Sequence, residues 1–73
     1  MDRSEIINRF TYHPPFGTQA DRYEEIRDLG KKFALRLYEL CPTSDELKKA
    51  IDHIDDAIKE ANASIARHEE PDQ

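Results

Sequence analysis

The residues best placed to do chemistry stand near the start of the chain, in the segment Tyr12-His13-Pro14-Pro15. Proline fixes its own φ and moves the preceding residue out of the α region, so His13 and Pro14 are predicted to be extended. Tyr12 then lies at the end of a stiff segment, where its ring can stack on a planar ligand. The alternative is that Tyr12 and Phe10 fold back as a hydrophobic cap, because buried aromatic rings mostly serve packing.

Positive charge is concentrated on the segment that follows, at Arg22, Arg27, Lys31, Lys32 and Arg36. If this segment is helical, Arg27 and Lys31 share one face, one turn apart. A planar guanidinium beside the ring of Tyr12 offers what a nucleotide base and its phosphate require. The alternative is that these cations form ion pairs with Glu24 and Asp28, as is common between neighbouring turns of a helix.

Other candidate chemistry finds little support in the sequence. The cluster Asp52, His53, Asp55 and Asp56 lacks the paired carboxylate and histidine spacing of a di-metal bundle, so a charged outer face is favoured. No Ser or Cys stands near a histidine as a nucleophile, there is no glycine-rich phosphate loop, and the single Cys41 cannot form an intrachain disulfide. We therefore expect a binding protein rather than an enzyme, with no catalytic residue, metal or cofactor.

Length and composition narrow the class of protein. A chain of 73 residues with 37% apolar and 37% charged residues forms one small domain whose core is limited, so partners are expected. The net charge of −5 opposes binding to duplex DNA or RNA, although a local basic cluster can still hold a small anion. No apolar run reaches membrane-spanning length and no signal peptide opens the chain, so we expect a soluble, intracellular protein that does not bind membranes.

The predicted fold is all-α, in a single domain spanning residues 1–73. Residues 1–17 form an N-terminal arm with a short helix and an extended connector, 18–68 an antiparallel two-helix hairpin, and 69–73 a flexible acidic tail. Thr18 is predicted to cap a helix running from about residue 19 to 40, and Pro42 ends it. Thr43, with Glu46 three residues later, resembles a capping box that starts the second helix almost at once.

Two apolar seams are predicted to meet in the core of this hairpin. Both seams alternate steps of four and three residues, the first at Ile26, Gly30, Phe33, Leu37 and Leu40, and the second at Leu47, Ile51, Ile54, Ile58, Ala61 and Ile65. A stripe of small residues at Ala50, Ala57 and Ser64 is a candidate contact between protomers, although Ala is also simply the best helix former.

Several stretches together resemble a known family. They are Phe10-Thr11-Tyr12-His13-Pro14-Pro15, Tyr23-Glu24-Glu25-Ile26-Arg27, Phe33-Ala34, Leu40-Cys41-Pro42 and Ala61-Asn62-Ala63-Ser64-Ile65-Ala66-Arg67. The chain is similar, from about residue 10 to 67, to the small phage proteins that sponge cyclic oligonucleotides to silence CBASS immunity, the family of the second named anti-CBASS protein. The motifs at the two ends are the specific part of this likeness, whereas the middle is mostly amphipathic helix.

The resemblance implies an all-helical homohexamer that sequesters cyclic dinucleotides such as 3′,3′-cGAMP without cleaving them, in the cytoplasm of the infected bacterial host. It implies dinucleotide contacts from Tyr12 and Arg27, to which the neighbouring His13 and Lys31 are added. It also implies a separate site for cyclic trinucleotides, which carries over to Asn62 and Arg67. The family more usually has Lys where this chain has Arg27, and Arg keeps the charge while changing the geometry of the contact.

The alternative function is a small helical-hairpin adaptor that binds a host protein. Its interface would be the acidic surface together with the stripe of small residues. A sponge should gain nucleotide mass as a symmetric oligomer, whereas an adaptor should ignore nucleotides.

Overall fold

The chain folds into three α-helices, and the computed structural model describes residues 2–69. The helices are α1 (Arg3–Arg9), α2 (Gln19–Leu40) and α3 (Asp45–His68). No strand occurs among the described residues, which confirms the predicted all-α class. Within the same part of the chain, no helix is long and apolar enough to cross a membrane.

The two long helices, α2 and α3, form the predicted antiparallel hairpin. Gln19 at the start of α2 contacts Ile65 near the end of α3, and Gly30 in the middle of α2 lies against Ile54 and Ile58. A Cβ atom on Gly30 would collide with the side chain of Ile58, so the missing side chain is what allows the helices to approach here. The four-residue connection from Cys41 to Ser44 has the length that joins the two helices of an antiparallel hairpin.

The residues that cap the long helices differ in part from those predicted. Helix α3 is capped by Ser44, whose hydroxyl oxygen accepts a hydrogen bond from the backbone N–H of Leu47 at 3.1 Å. The capping box predicted at Thr43 was wrong because the helix begins one residue later, which brings the Ser44 hydroxyl to the free N–H groups. Thr18 does precede α2, but its side-chain oxygen accepts instead from Nε of Arg22 at 3.0 Å.

The predicted core is only half enclosed. On the α2 seam, Phe33 is 57% exposed and Leu40 is 62% exposed, and Leu47 is the one apolar residue of the described chain that is buried. Two helices bury each other's side chains only along one line of contact. The apolar stripe of each helix is wider than this line, so part of it stays exposed. The exposed part forms a groove of about 630 Å³, called the apolar groove below, whose lining includes Ile26, Leu29, Phe33, Leu37, Ile54 and Ile58.

A buried amide fastens the arm to the open end of the hairpin. The side chain of Gln19 is buried, and its Oε1 accepts a hydrogen bond from the backbone N–H of Phe16 at 3.2 Å. Its Nε2 donates to the carbonyl oxygen of Ile65 at 3.3 Å and to the carboxylate of Glu69 at 3.1 Å. One side chain therefore joins the arm, the start of α2 and the end of α3.

Glu69 completes this fastening through an ion pair. The guanidinium of Arg22 donates to both carboxylate oxygens of Glu69, at 2.6 and 2.7 Å. These bonds, together with the one from Gln19, lower the pKa of Glu69 from its usual value near 4.5 to about 2. Glu69 was predicted to belong to the flexible tail, but this was wrong, because its carboxylate is held against the hairpin by Arg22. The rest of the predicted tail lies outside the described residues.

Replacing Glu69 with Gln should lower the melting temperature at pH 7 by a few degrees. The ionised carboxylate stabilises the fold above about pH 4.5, and this contribution is lost as the pH falls towards 2, because the folded-state pKa is the lower one. The difference between wild type and Glu69→Gln should therefore shrink over that range in thermal unfolding followed by circular dichroism. Glu25→Gln, which changes an exposed carboxylate on α2, is the control. A wild-type advantage that stays constant down to pH 2 would contradict the ion-pair account.

Candidate functional site

The extended part of the arm, between α1 and α2, is held in place at its start by Asn8, which lies in the last turn of α1. The side-chain amide of Asn8 donates a hydrogen bond to the carbonyl oxygen of Arg67 at 2.9 Å, which docks α1 on the end of α3. The carbonyl oxygen of Asn8 lies 3.0 Å from Nε2 of His13, and because a carbonyl only accepts, Nε2 carries the proton. Asn8 thus connects α1, the arm and α3 through polar contacts.

Tyr12 is presented to solvent rather than packed. Its side chain is 81% exposed and that of Phe10 is 86% exposed, so the two rings do not form the hydrophobic cap that the sequence left open. His13 beside it is half-buried, and its bond to Asn8 fixes the arm on one side of Tyr12. The fastening at Phe16 fixes it on the other side.

Tyr12 lies at the edge of a pocket of about 380 Å³ between the arm and the hairpin, called the arm pocket below. The structure brings five of the predicted site residues into its lining, from three parts of the chain: Tyr12, His13, Arg27, Asn62 and Arg67. The residues assigned to a dinucleotide site and those assigned to a trinucleotide site therefore border one pocket in the single chain. The antiparallel hairpin causes this convergence, because it places the end of α3 beside the start of α2.

Lys31 is the predicted site residue that does not line the arm pocket. It is exposed on α2, one turn beyond Arg27 and away from the arm. Its ammonium group can influence a ligand in the pocket through charge at a distance, which salt screens.

The cations of the arm pocket are not neutralised by carboxylates of the described chain. The alternative of pairing with Glu24 and Asp28 is confirmed for Lys32, which pairs with Asp28 at 2.9 Å and lowers the pKa of Asp28. Within residues 2–69, Arg27 and Lys31 form no ion pair. Three arginines line the pocket, and within residues 2–69 none of them forms an ion pair: Arg9, Arg27 and Arg67. In a chain whose net charge is −5, this is a local cationic cluster.

Asn62 brings an unsatisfied acceptor to the same pocket. Its Oδ1 is shielded from solvent and has no hydrogen-bond donor among the described residues. A buried acceptor without a partner costs about 1–3 kcal/mol, so Oδ1 of Asn62 is a polar group that the fold leaves unpaired within the described residues.

Two residues of the lining with an aromatic or a charged side chain were not among the predicted site residues, Arg9 and Tyr23. Tyr23 stands four residues before Arg27 and therefore shares its helix face, a signal that the spacing already contained. Arg9 ends α1, and no periodicity in the sequence places it beside α3; the bond from Asn8 to Arg67 does so.

The acidic cluster on α3 forms a charged, solvent-exposed face, which is the interpretation that the sequence favoured. Asp52 pairs with Lys48 at 3.2 Å and Asp55 pairs with Lys59 at 3.4 Å, each one helical turn apart. All four side chains are exposed, so these are solvated surface pairs of small energetic weight.

The fold and the site together define a small helical-hairpin protein with an aromatic and cationic pocket, suited to a planar anionic ligand. The chain belongs to the Acb2/Tad1 hairpin-domain family of phage anti-CBASS proteins, which sponge cyclic oligonucleotides; the family model described as "Acb2/Tad1, hairpin domain" matches residues 1–66. This confirms the resemblance seen in the sequence. No characterised protein and no solved structure matched the chain in the corresponding searches.

Proposed function

We propose that this protein binds cyclic dinucleotides such as 3′,3′-cGAMP, and also cyclic trinucleotides, and sequesters them without cleavage. Membership of the family supports anti-CBASS sequestration of cyclic oligonucleotides in general. The observation that carries the finer proposal is the arm pocket, where an exposed tyrosine ring meets three arginines that have no carboxylate partner in residues 2–69.

Each group in the pocket has a counterpart in such a ligand. The ring of Tyr12 stacks on a nucleobase, which every base permits because each has a π-face. The guanidinium groups of Arg27 and Arg67 meet phosphate oxygens through charge-assisted hydrogen bonds. Asn62, which lines the same pocket, contacts a base through its side-chain amide, and His13 supports the arm beside Tyr12. Lys31 adds attraction at longer range.

Two polar side chains of the pocket lining, Thr11 and His13, make hydrogen bonds that hold the arm in place. The hydroxyl of Thr11 in the pocket lining donates to the carbonyl oxygen of Ile7 at 2.6 Å, and Nε2 of His13 donates to the carbonyl oxygen of Asn8. A base and a nucleophile within reach of each other are what hydrolysis by side chains requires. The structural role of Thr11 and His13 supports capture without cleavage, and the bound ligand is then released chemically intact.

The apolar groove supports assembly of several copies, proposed here as a homohexamer. Leu29 and Phe33 remain more than half exposed along the groove, and two residues of the small stripe, Ala50 and Ala57, also line it. Covering such a surface with identical helices removes apolar area from water and allows close approach. A two-fold contact would present Tyr12 and Arg27 twice to a ligand that is itself two-fold or nearly so.

Stoichiometric capture explains how binding alone silences a signal. A tightly bound messenger is withdrawn from solution, and its free concentration falls below what the effector needs. The place of action is then the cytoplasm of the infected bacterium, where the defence enzymes release the messenger.

Tyr12→Ala should weaken binding of 3′,3′-cGAMP by about 1–3 kcal/mol for each base that the ring engages. Isothermal titration calorimetry of the purified protein measures this directly. Tyr12→Phe is the matched variant, because it keeps the ring and removes only the hydroxyl, and it should stay close to wild type. Equal affinity of wild type and Tyr12→Ala would remove the stacking role.

Arg27→Gln should lose roughly 1.5–3 kcal/mol of binding free energy, since a charge-assisted hydrogen bond to phosphate is removed. Lys31→Gln takes the same charge from the same helix one turn away and should cost less than about 1 kcal/mol, as for exposed charges. Isothermal titration calorimetry of both variants with 3′,3′-cGAMP, at two salt concentrations, compares their losses of binding free energy. If Lys31→Gln costs as much as Arg27→Gln, the arm pocket is not where the phosphate binds.

A further inference from the structure

Arg9 occupies a position that its local sequence does not explain. It is the last residue of α1, and it lines both the arm pocket and an adjoining polar pocket of about 250 Å³ that also includes Glu5, Glu60 and Arg67. Arg67 lines both pockets as well, so two arginines, from opposite ends of the described chain, border the same pair of pockets.

The docking of α1 creates this arrangement. The 2.9 Å bond from the Asn8 side chain to the carbonyl oxygen of Arg67 fixes the residue immediately before Arg9 to the end of α3. Two arginines are thereby placed on the same two pockets of a protein whose net charge is −5. An anion bound in the arm pocket would have both of these side chains at its border.

Carboxylates that could neutralise Arg9 are near it in sequence or in space but do not pair with it. Glu5 precedes Arg9 by one helical turn, and Glu60 borders the same polar pocket. Within residues 2–69, neither lies within ion-pair distance of Arg9. The remaining structural role is a favourable contact with the carbonyl end of α1, which an arginine in the last turn of any helix makes.

We propose that Arg9 is a third phosphate contact, which acts with Arg27 and Arg67 on cyclic oligonucleotides held in the arm pocket. The short helix α1 then positions the Arg9 side chain at the arm pocket, in addition to packing against the end of the hairpin. The inference rests on the function proposed above, and it adds a residue and an element that the sequence motifs did not include.

The test compares Arg9→Gln with Arg3→Gln by calorimetry, using 3′,3′-cGAMP and cyclic triadenylate as ligands. Both variants remove one positive charge from α1, but Arg3 lines none of the pockets described above. Arg9→Gln should bind at least one of these ligands about tenfold more weakly, with reduced dependence on salt, because one charge-assisted contact is lost. Arg3→Gln should stay within about twofold of wild type, as expected for an exposed charge.

Arg9→Lys separates ligand contact from docking of α1. It keeps the charge and should retain most of the salt dependence that Arg9→Gln loses. Equal binding by Arg9→Gln and wild type would overturn the inference, and so would equal losses in all three variants accompanied by loss of helix in circular dichroism. If the wild type itself bound neither ligand, the proposed function would fail first, and the two failures are distinguishable.

Discussion

The buried amide of Gln19 is the contact on which the shape of the arm pocket depends. Through three hydrogen bonds and the adjoining Arg22–Glu69 pair, it sets the arm, the start of α2 and the end of α3 in one arrangement. Apolar packing cannot do this, because the single hairpin encloses almost no core. Polar contacts therefore position the arm pocket, while much of the apolar surface of the hairpin stays exposed. Tyr12 can remain exposed because the backbone of Phe16, four residues later, is held by its hydrogen bond to the side chain of Gln19.

The secondary structure followed closely from local signals in the sequence. Pro42 located the turn, and the steps of four and three residues identified both long helices. The same periodicity could not tell that Phe33 and Leu40 would stay exposed, since a pattern marks an apolar face but not what covers it. Choosing Thr43 over Ser44 as a cap depended on a one-residue difference in where the helix begins, which side-chain types alone do not settle.

The site was predictable to the extent that its residues share an element or a family motif. Tyr12 and Arg27 were identified by a stiff arm and a charged helix face, and the resemblance supplied Asn62 and Arg67. Their convergence on one pocket is a tertiary effect of the hairpin, which joins residues far apart in sequence. Arg9 was missed for the same reason, because its place is set by a hydrogen bond from its neighbour to α3 and not by any spacing.

The central claim is that identical copies capture a cyclic nucleotide and hold it unchanged. Native mass spectrometry of the wild-type protein with 3′,3′-cGAMP tests this most directly, because it reads the number of subunits and of bound ligands together. The expected result is a complex of six copies that gains the mass of the nucleotide and, on denaturation, releases it with its original mass. A monomer that takes up no cyclic nucleotide, or a released nucleotide of altered mass, would contradict the account.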